Sequence, residues 1–223
     1  DIKKMKMHIW DDLKGHLEIP FRKYAYVKDS NGQHVSLYGD RLKRVSQFDK
    51  DDPTLHESDV PPMTRFLVDQ YGDSDEASTG HRIMFFDIEV EVTEGFPDVQ
   101  KAQNPITSIA LYDSTTEKYY TYCFDPQKRI KNYSKDDEIV EFYETEYEML
   151  NKFFQKYLEI RPTIISGWNS EFFDIPYLYN RAVRVLGPEV ANLLSPISQV
   201  IYSEYKKKHT IAGVSSLDYL QLY

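Results

Sequence analysis

Two acids, Asp87 and Glu89, stand at alternate positions inside the otherwise apolar run Ile83-Met84-Phe85-Phe86-Asp87-Ile88-Glu89-Val90. In a β-strand, side chains at i and i+2 share a face, so the two carboxylates sit side by side where their neighbours favour burial. Adjacent carboxylates repel and are costly to desolvate unless a proton or a cation lies between them. A hard divalent cation bound through oxygen resolves this most simply, which points to a metal-dependent enzyme. The bland alternative is a solvated face on an edge strand, and the apolar flanks argue against it. A second cluster, Gly167-Trp168-Asn169-Ser170-Glu171-Phe172-Phe173-Asp174, falls between a buried strand and a helix. In open α/β sheets that edge is where ligands bind. Asp174 alone reads as a helix N-cap; with Asp87 and Glu89 in the same domain it becomes a candidate third metal ligand. Asn169 suits either a turn cap or a substrate contact.

The elements that must carry these residues are legible in outline. Residues 82–92, 107–112 and 118–124 read as strands, with Asp113-Ser114-Thr115-Thr116 joining the last two. Thr145-Glu146-Tyr147-Glu148 has capping-box spacing and opens a helix that buries Leu150, Phe153, Phe154, Tyr157 and Leu158. Residues 162–168 form a buried strand. The periodic run Ile175, Leu178, Tyr179, Ala182, Val183, Leu186 follows as a helix closed by Gly187-Pro188. This order predicts an α/β domain with a mixed sheet over residues 80–223. The polar, Gly-flanked stretch 72–80 is the boundary to a small β-rich domain over residues 1–79. There Tyr24–Val27 and Val35–Tyr38 are expected to pair as a hairpin around Asp29-Ser30-Asn31-Gly32, and Pro61-Pro62 opens a short helix ending near Tyr71.

Composition narrows the class. The chain has 223 residues and one cysteine, Cys123, which excludes an internal disulfide and suits a reducing cytoplasm. No apolar run approaches a membrane span, and no signal-peptide pattern opens the chain. A formal net charge of −9 argues against broad adhesion to nucleic acid, although acidic metal sites contribute to that charge. The first residue is Asp1, which suggests a fragment or a processed chain.

Phe86-Asp87-Ile88-Glu89 resembles the first motif of the DEDD 3′→5′ exonucleases, and Asn169 to Asp174 the second. Trp168-Asn169, Phe173-Asp174-Ile175-Pro176-Tyr177, Asn180-Arg181, Glu94-Gly95-Phe96-Pro97 and Ser216-Leu217-Asp218-Tyr219 are similar to family B DNA polymerases of T-even-like phages. The likeness covers residues 80–223 well and residues 1–79 loosely. It implies an RNase H-like fold and two-metal hydrolysis of the 3′-terminal phosphodiester, with two Mg²⁺ (or Mn²⁺) ions. It assigns Asp87 to both metals, Glu89 to the water-activating one and Asp174 to the other. It also implies an aromatic wedge at Phe96 beside a frayed primer end, and a β-hairpin over Gln199 to Ala212 with Lys206, Lys207, Lys208 and His209 near its tip facing phosphates. On their residues alone, Phe96 reads as a loop anchor and the lysines as a solvated turn. Implied partners are single-stranded DNA or a frayed primer, the remaining polymerase domains and a sliding clamp, with no membrane, in a host cytoplasm.

The family pattern also needs a Tyr-x-x-x-Asp motif after the second cluster, and no such spacing follows Asp174. Tyr133 to Asp137 and Tyr71 to Asp75 match it in the wrong order and in polar segments read as loops, and Asp136-Asp137-Glu138 copies Asp-x-Glu with no apolar strand around it. Weak or absent activity of the isolated chain is the resulting expectation. The alternative is a non-catalytic segment that holds DNA or another subunit. None of the palm motifs for nucleotide addition occurs.

Overall fold

The computed structural model describes residues 3–7, 17–21, 23–77, 79–92 and 95–222, so Glu94 of the resemblance lies outside the described residues. They form two compact units that divide beside residue 78.

In the first unit β1 (Lys3–Met7) pairs antiparallel with β2 (Leu17–Phe21). A four-stranded sheet follows from β3 (Ala25–Lys28), β4 (His34–Val35), β5 (Arg41–Val45) and β6 (Leu55–His56), in the order β4-β5-β3-β6. Helix α1 (Pro62–Tyr71) closes the unit, starting at the proline pair as its sequence predicts. The expected hairpin pairing is corrected. The Asp29–Gly32 turn forms, with Gly32 N–H donating to Asp29 O, but β3 pairs with β5 rather than with Val35–Tyr38. The basic residues of Arg41-Leu42-Lys43-Arg44-Val45 mask a strand that buries Leu42 and lays the Arg44 guanidinium 3.5 Å over the Tyr24 ring. Leu37 and Tyr38 stand fully exposed around a second turn, Ser36–Gly39.

The second unit is built on a seven-stranded sheet. Its strands are β7 (Ile83–Val90), β8 (Ile106–Asp113), β9 (Lys118–Phe124), β10 (Tyr133–Lys135), β11 (Glu138–Tyr143), β12 (Ile164–Gly167) and β15 (Ser215–Asp218). The order is β10-β11-β9-β8-β7-β12-β15, mixed in direction, with β7 central between antiparallel β8 and parallel β12. A separate hairpin pairs β13 (Val200–Ser203) with β14 (Lys208–Ile211), within the expected span 199–212. The helices are α2 (Glu146–Ile160), α3 (Asp174–Leu186), α4 (Pro188–Ala191), followed by a 3-10 turn at Asn192–Leu194, and α5 (Tyr219–Leu222).

Helix α2 starts where its capping box predicts: Glu148 N–H donates to Thr145 Oγ1 at 3.2 Å, and Thr145 Oγ1 donates to Glu148 Oε2 at 2.9 Å. Its apolar stripe buries Met149, Leu150, Phe153, Phe154, Tyr157 and Ile160, while Leu158 is half-buried. This stripe meets Ile175 and Leu178 of α3 over Met84 and Phe86 of β7. The buried Tyr157 hydroxyl is satisfied by Leu194 O at 2.7 Å.

Asp136-Asp137-Glu138 is also corrected. An apolar strand does adjoin these acids: Asp136, at φ 52°, and Asp137 turn β10 into β11, and Glu138 opens a strand parallel to β9. These acids and Tyr133 lie at the sheet edge remote from β7, so the spacing match is spatially unrelated to Asp87.

Candidate active site

Strand β7 alternates cleanly. Met84, Phe86 and Ile88 are buried, whereas Phe85, Asp87 and Glu89 face outward, Phe85 being 46% exposed. The apolar flanks therefore do not bury the two acids. They stand on the solvent face of a central strand, which neither the buried-pair reading nor the edge-strand alternative describes. Among the described residues neither carboxylate has a hydrogen-bond or ion-pair partner, so both are uncommitted.

The burial falls instead on Asp174, only 3% exposed. It is the first residue of α3 rather than its N-cap, which is Phe173. Its Oδ1 accepts the Ile88 N–H at 3.0 Å. The reason lies in the sheet: β12 pairs with β7 only from Ile83 to Phe85 and then leaves, so the next amide on that side needs another acceptor. Burial pushes the Asp174 carboxyl up to about 7; the Ile88 hydrogen bond opposes this, and the charges of Asp87 and Asp218 add to it. Asp87 and Asp174 are thus electrostatic neighbours across the β7–α3 junction.

The connection from β12 to α3 is shaped by two residues. A Cβ on Gly167 would come within 2.6 Å of Phe86 O and 3.0 Å of Ser170 Cβ, so only glycine permits this close exit. Asn169 takes φ 59°, a left-handed conformation that asparagine tolerates, and its carbonyl accepts the Phe172 and Phe173 amides. Asn169 therefore shapes the turn through its backbone. Gly167→Ala is expected to destabilise the chain by about 2–3 kcal/mol. Urea unfolding followed by circular dichroism checks this, and an unchanged midpoint would contradict the close approach.

Asp218 is the residue that sequence reasoning missed. It is 3% exposed and receives the Asn169 amide at 2.9 Å, the Glu171 amide at 3.0 Å and the Leu220 amide at 3.0 Å. Its only sequence signal was its place in Ser216-Leu217-Asp218-Tyr219. Its partners lie up to 49 residues away, where no local pattern reveals them.

Beside the acids an open cleft of about 410 Å³ is lined by Glu89, Val92, Phe96, Pro97 and Phe173 among others. Phe96 is 80% exposed, and its ring centroid lies 5.2 Å from that of Phe173. The segment after the cleft is pinned by α3. Tyr177 OH donates to Asn104 O, Asn180 Nδ2 to Val99 O, and Arg181 to Ala102 O, Gln103 O and buried Glu146. Trp168, at 54% exposed, is wall rather than core and lies 6.0 Å from Tyr219.

The lysines separate. Lys206 and Lys207 belong to the hairpin turn, Lys207 pairing with exposed Glu204. Lys208 opens β14, and its Nζ reaches buried Glu171 at 2.5 Å. His209 is buried between Tyr179 and Tyr202, which burial makes less basic. It cannot meet phosphates from there.

The donor set at the site is all oxygen, and a buried carboxyl raised by burial beside Asp87 is what a hard cation would relieve. In chemistry these residues fit a divalent ion. Among the described residues, no three His, Cys, Asp or Glu side chains already stand close enough together to hold one.

A mixed sheet with paired acids on its central strand, helices packed behind it and a separate small antiparallel sheet has the RNase H-like architecture of an exonuclease domain. The chain belongs to the family B DNA polymerases, whose exonuclease domain model matches residues 71–223. The DNA-directed DNA polymerase of Escherichia phage RB69 is 32% identical over 169 residues, covering 64% of this chain and 19% of that protein. That of Enterobacteria phage T4 is 31% identical over 186 residues, covering 71% and 21%. DNA polymerase 1 of Saccharolobus solfataricus is 30% identical over 131 residues, covering 59% and 13%. The chain thus spans about a fifth of the length of the two phage relatives. Among the described residues no helix is long and apolar enough to cross a membrane.

Proposed function

We propose that this chain is the 3′→5′ proofreading exonuclease region of a family B replicative DNA polymerase, hydrolysing the 3′-terminal phosphodiester of DNA. The observation that carries the reading is Asp174, buried and fixed to the Ile88 amide next to the outward acids of β7. Asp87, Glu89 and Asp174 would hold two Mg²⁺ or Mn²⁺ ions. When bound, such a pair supplies an activated water and stabilises the leaving 3′ oxygen.

The chain's own residues supply the rest. Asp174, held by Ile88, presents a carboxylate whose direction is set before substrate arrives. Asp87 and Glu89, free of other partners among the described residues, offer negative charge from a rigid central strand. Phe96 and Phe173 give an unpaired terminal base two rings to stack on, a contact tolerant of sequence as proofreading demands. Lys206 and Lys207 meet phosphates from the exposed hairpin turn, while Asn169 steers the strand past Trp168. The partners of this reading are a frayed primer or single-stranded DNA, the remaining polymerase domains and a sliding clamp.

A second reading, a non-catalytic DNA- or subunit-binding segment, is favoured by the absence of three converging ligands among the described residues. Release of mononucleotides from 5′-labelled single-stranded DNA in Mg²⁺ or Mn²⁺ decides between them. Slow, metal-dependent shortening from the 3′ end, lost in Asp87→Ala/Glu89→Ala, is expected. DNA binding without any shortening would overturn the catalytic reading in favour of the second.

A further inference from the structure

Glu171 is ionisable and buried, and nothing in the hydrolytic reading uses it. Its Oε2 accepts Lys208 Nζ at 2.5 Å and Gln221 Nε2 at 2.7 Å. Its own amide donates to Asp218. One side chain therefore joins three parts of the unit: the β13–β14 hairpin, the β12–α3 connection, and the β15–α5 end. The connection leads without interruption to Asp174. The hairpin is anchored to α3 as well, through His209 against Tyr179 at 4.8 Å.

Resting on the exonuclease reading, we infer that Glu171 and Lys208 are positioning residues: their ion pair ties the hairpin to the connection and so fixes how Asp174 is presented. The burial of the pair gives it this leverage. The side chains are 8% and 25% exposed, so loss of Lys208 leaves a carboxylate with only the neutral Gln221 amide for company. Breaking such a pair is strongly destabilising, because the orphaned charge must find water. The least costly route is for Glu171 to swing out, carrying the connection with it and loosening the bond from Ile88 to Asp174. The Lys207–Glu204 pair in the hairpin turn, 70% and 82% exposed, has no such leverage.

Amide hydrogen exchange on the full chain, read at Ile88, Asn169 and Glu171, tests this directly. Lys208→Met is expected to speed exchange at all three by about tenfold or more, Lys208→Arg to restore it, and Lys207→Met to leave it unchanged. The Glu171→Gln/Lys208→Met double variant removes the buried charge, so it keeps the fold while Ile88 still exchanges faster than in the parent. Faster exchange confined to residues 200–211, or an Ile88 amide as protected in Lys208→Met as in the parent, would overturn the link. Mn²⁺ titration by electron paramagnetic resonance, run alongside, separates the two ideas. A parent chain that binds no Mn²⁺ refutes the metal site, while the exchange data still judge the positioning role.

Discussion

Asp174→Asn is expected to make the metal-free protein more stable above pH 7 while removing a metal ligand. In the folded chain the Asp174 carboxyl is pushed from an ordinary 3.8 up to about 7. The folded state therefore holds a proton that the unfolded chain has already lost. Stability falls as pH rises from about 4 to about 7, and by pH 8 the ionised, buried carboxylate costs about 4 kcal/mol at most. Asparagine has nearly the same shape, keeps an oxygen to accept the Ile88 amide and has no charge to bury. In EDTA at pH 8 the variant should melt higher by roughly ten degrees, given about 2–4 °C per kcal/mol in a chain of this size. As pH falls toward 4 and the unfolded carboxyl also begins to take up its proton, the two melting curves should converge. Calorimetry across pH 4–8 checks the pattern. A variant less stable than the parent at pH 8 would mean that the carboxylate is held by compensating interactions, and the argument for a cation there would lapse.

How much of this was legible in the sequence depends on the distance over which each feature is decided. The start of α2 is decided within four residues, and Thr145 and Glu148 announce it. The apolar run of β7 announces a strand, but not which face is open, because Phe85 on the solvent face looks the same in sequence as Phe86 in the core. Only the sheet order, with α2 and α3 over one face of β7, settles that. Strand β11 was hidden because Asp136-Asp137-Glu138 reads as polar punctuation, although the mostly apolar run Ile139-Val140-Glu141-Phe142 follows at once. Arg41–Val45 was hidden by its basic side chains, of which Arg44 folds back on the Tyr24 ring. Asp218 had only its place in Ser216-Leu217-Asp218-Tyr219 as a signal and the Glu171–Lys208 pair had none, since their partners are brought together by β15 joining the sheet edge and by the hairpin folding onto α3. Asp174 lies between these extremes. Its type and position before a helix suggested a cap, yet the amide it serves belongs to a strand 86 residues earlier.

That long-range bond gives the largest metal effect an identifiable sign. Mn²⁺ or Mg²⁺ at pH 8 is expected to raise the melting temperature of the parent, because a cation beside Asp87 and Asp174 offsets the repulsion and burial that oppose ionisation. An ion that binds only the folded state at a hundred times its dissociation constant stabilises by about 2.7 kcal/mol. The gain must shrink as pH falls through about 7, since Asp174 then carries a proton that has to leave before it can ligate; from this group alone, apparent affinity drops about tenfold per pH unit below that point. The Asp87→Ala/Glu89→Ala variant should show no gain at any pH, because the remaining carboxylate is a single buried donor. Asp174→Asn should retain a reduced gain that no longer varies between pH 6 and 8, since its pH-sensitive ligand is gone. Thermal melts of the three proteins with and without Mn²⁺ make the comparison. A stabilisation that survives the loss of Asp87 and Glu89 would place the ion elsewhere on this acidic chain. A pH-independent gain in the parent would show that the ion is held by Asp87 and Glu89 without Asp174, and the site would then be a surface pair rather than the junction of β7 and α3.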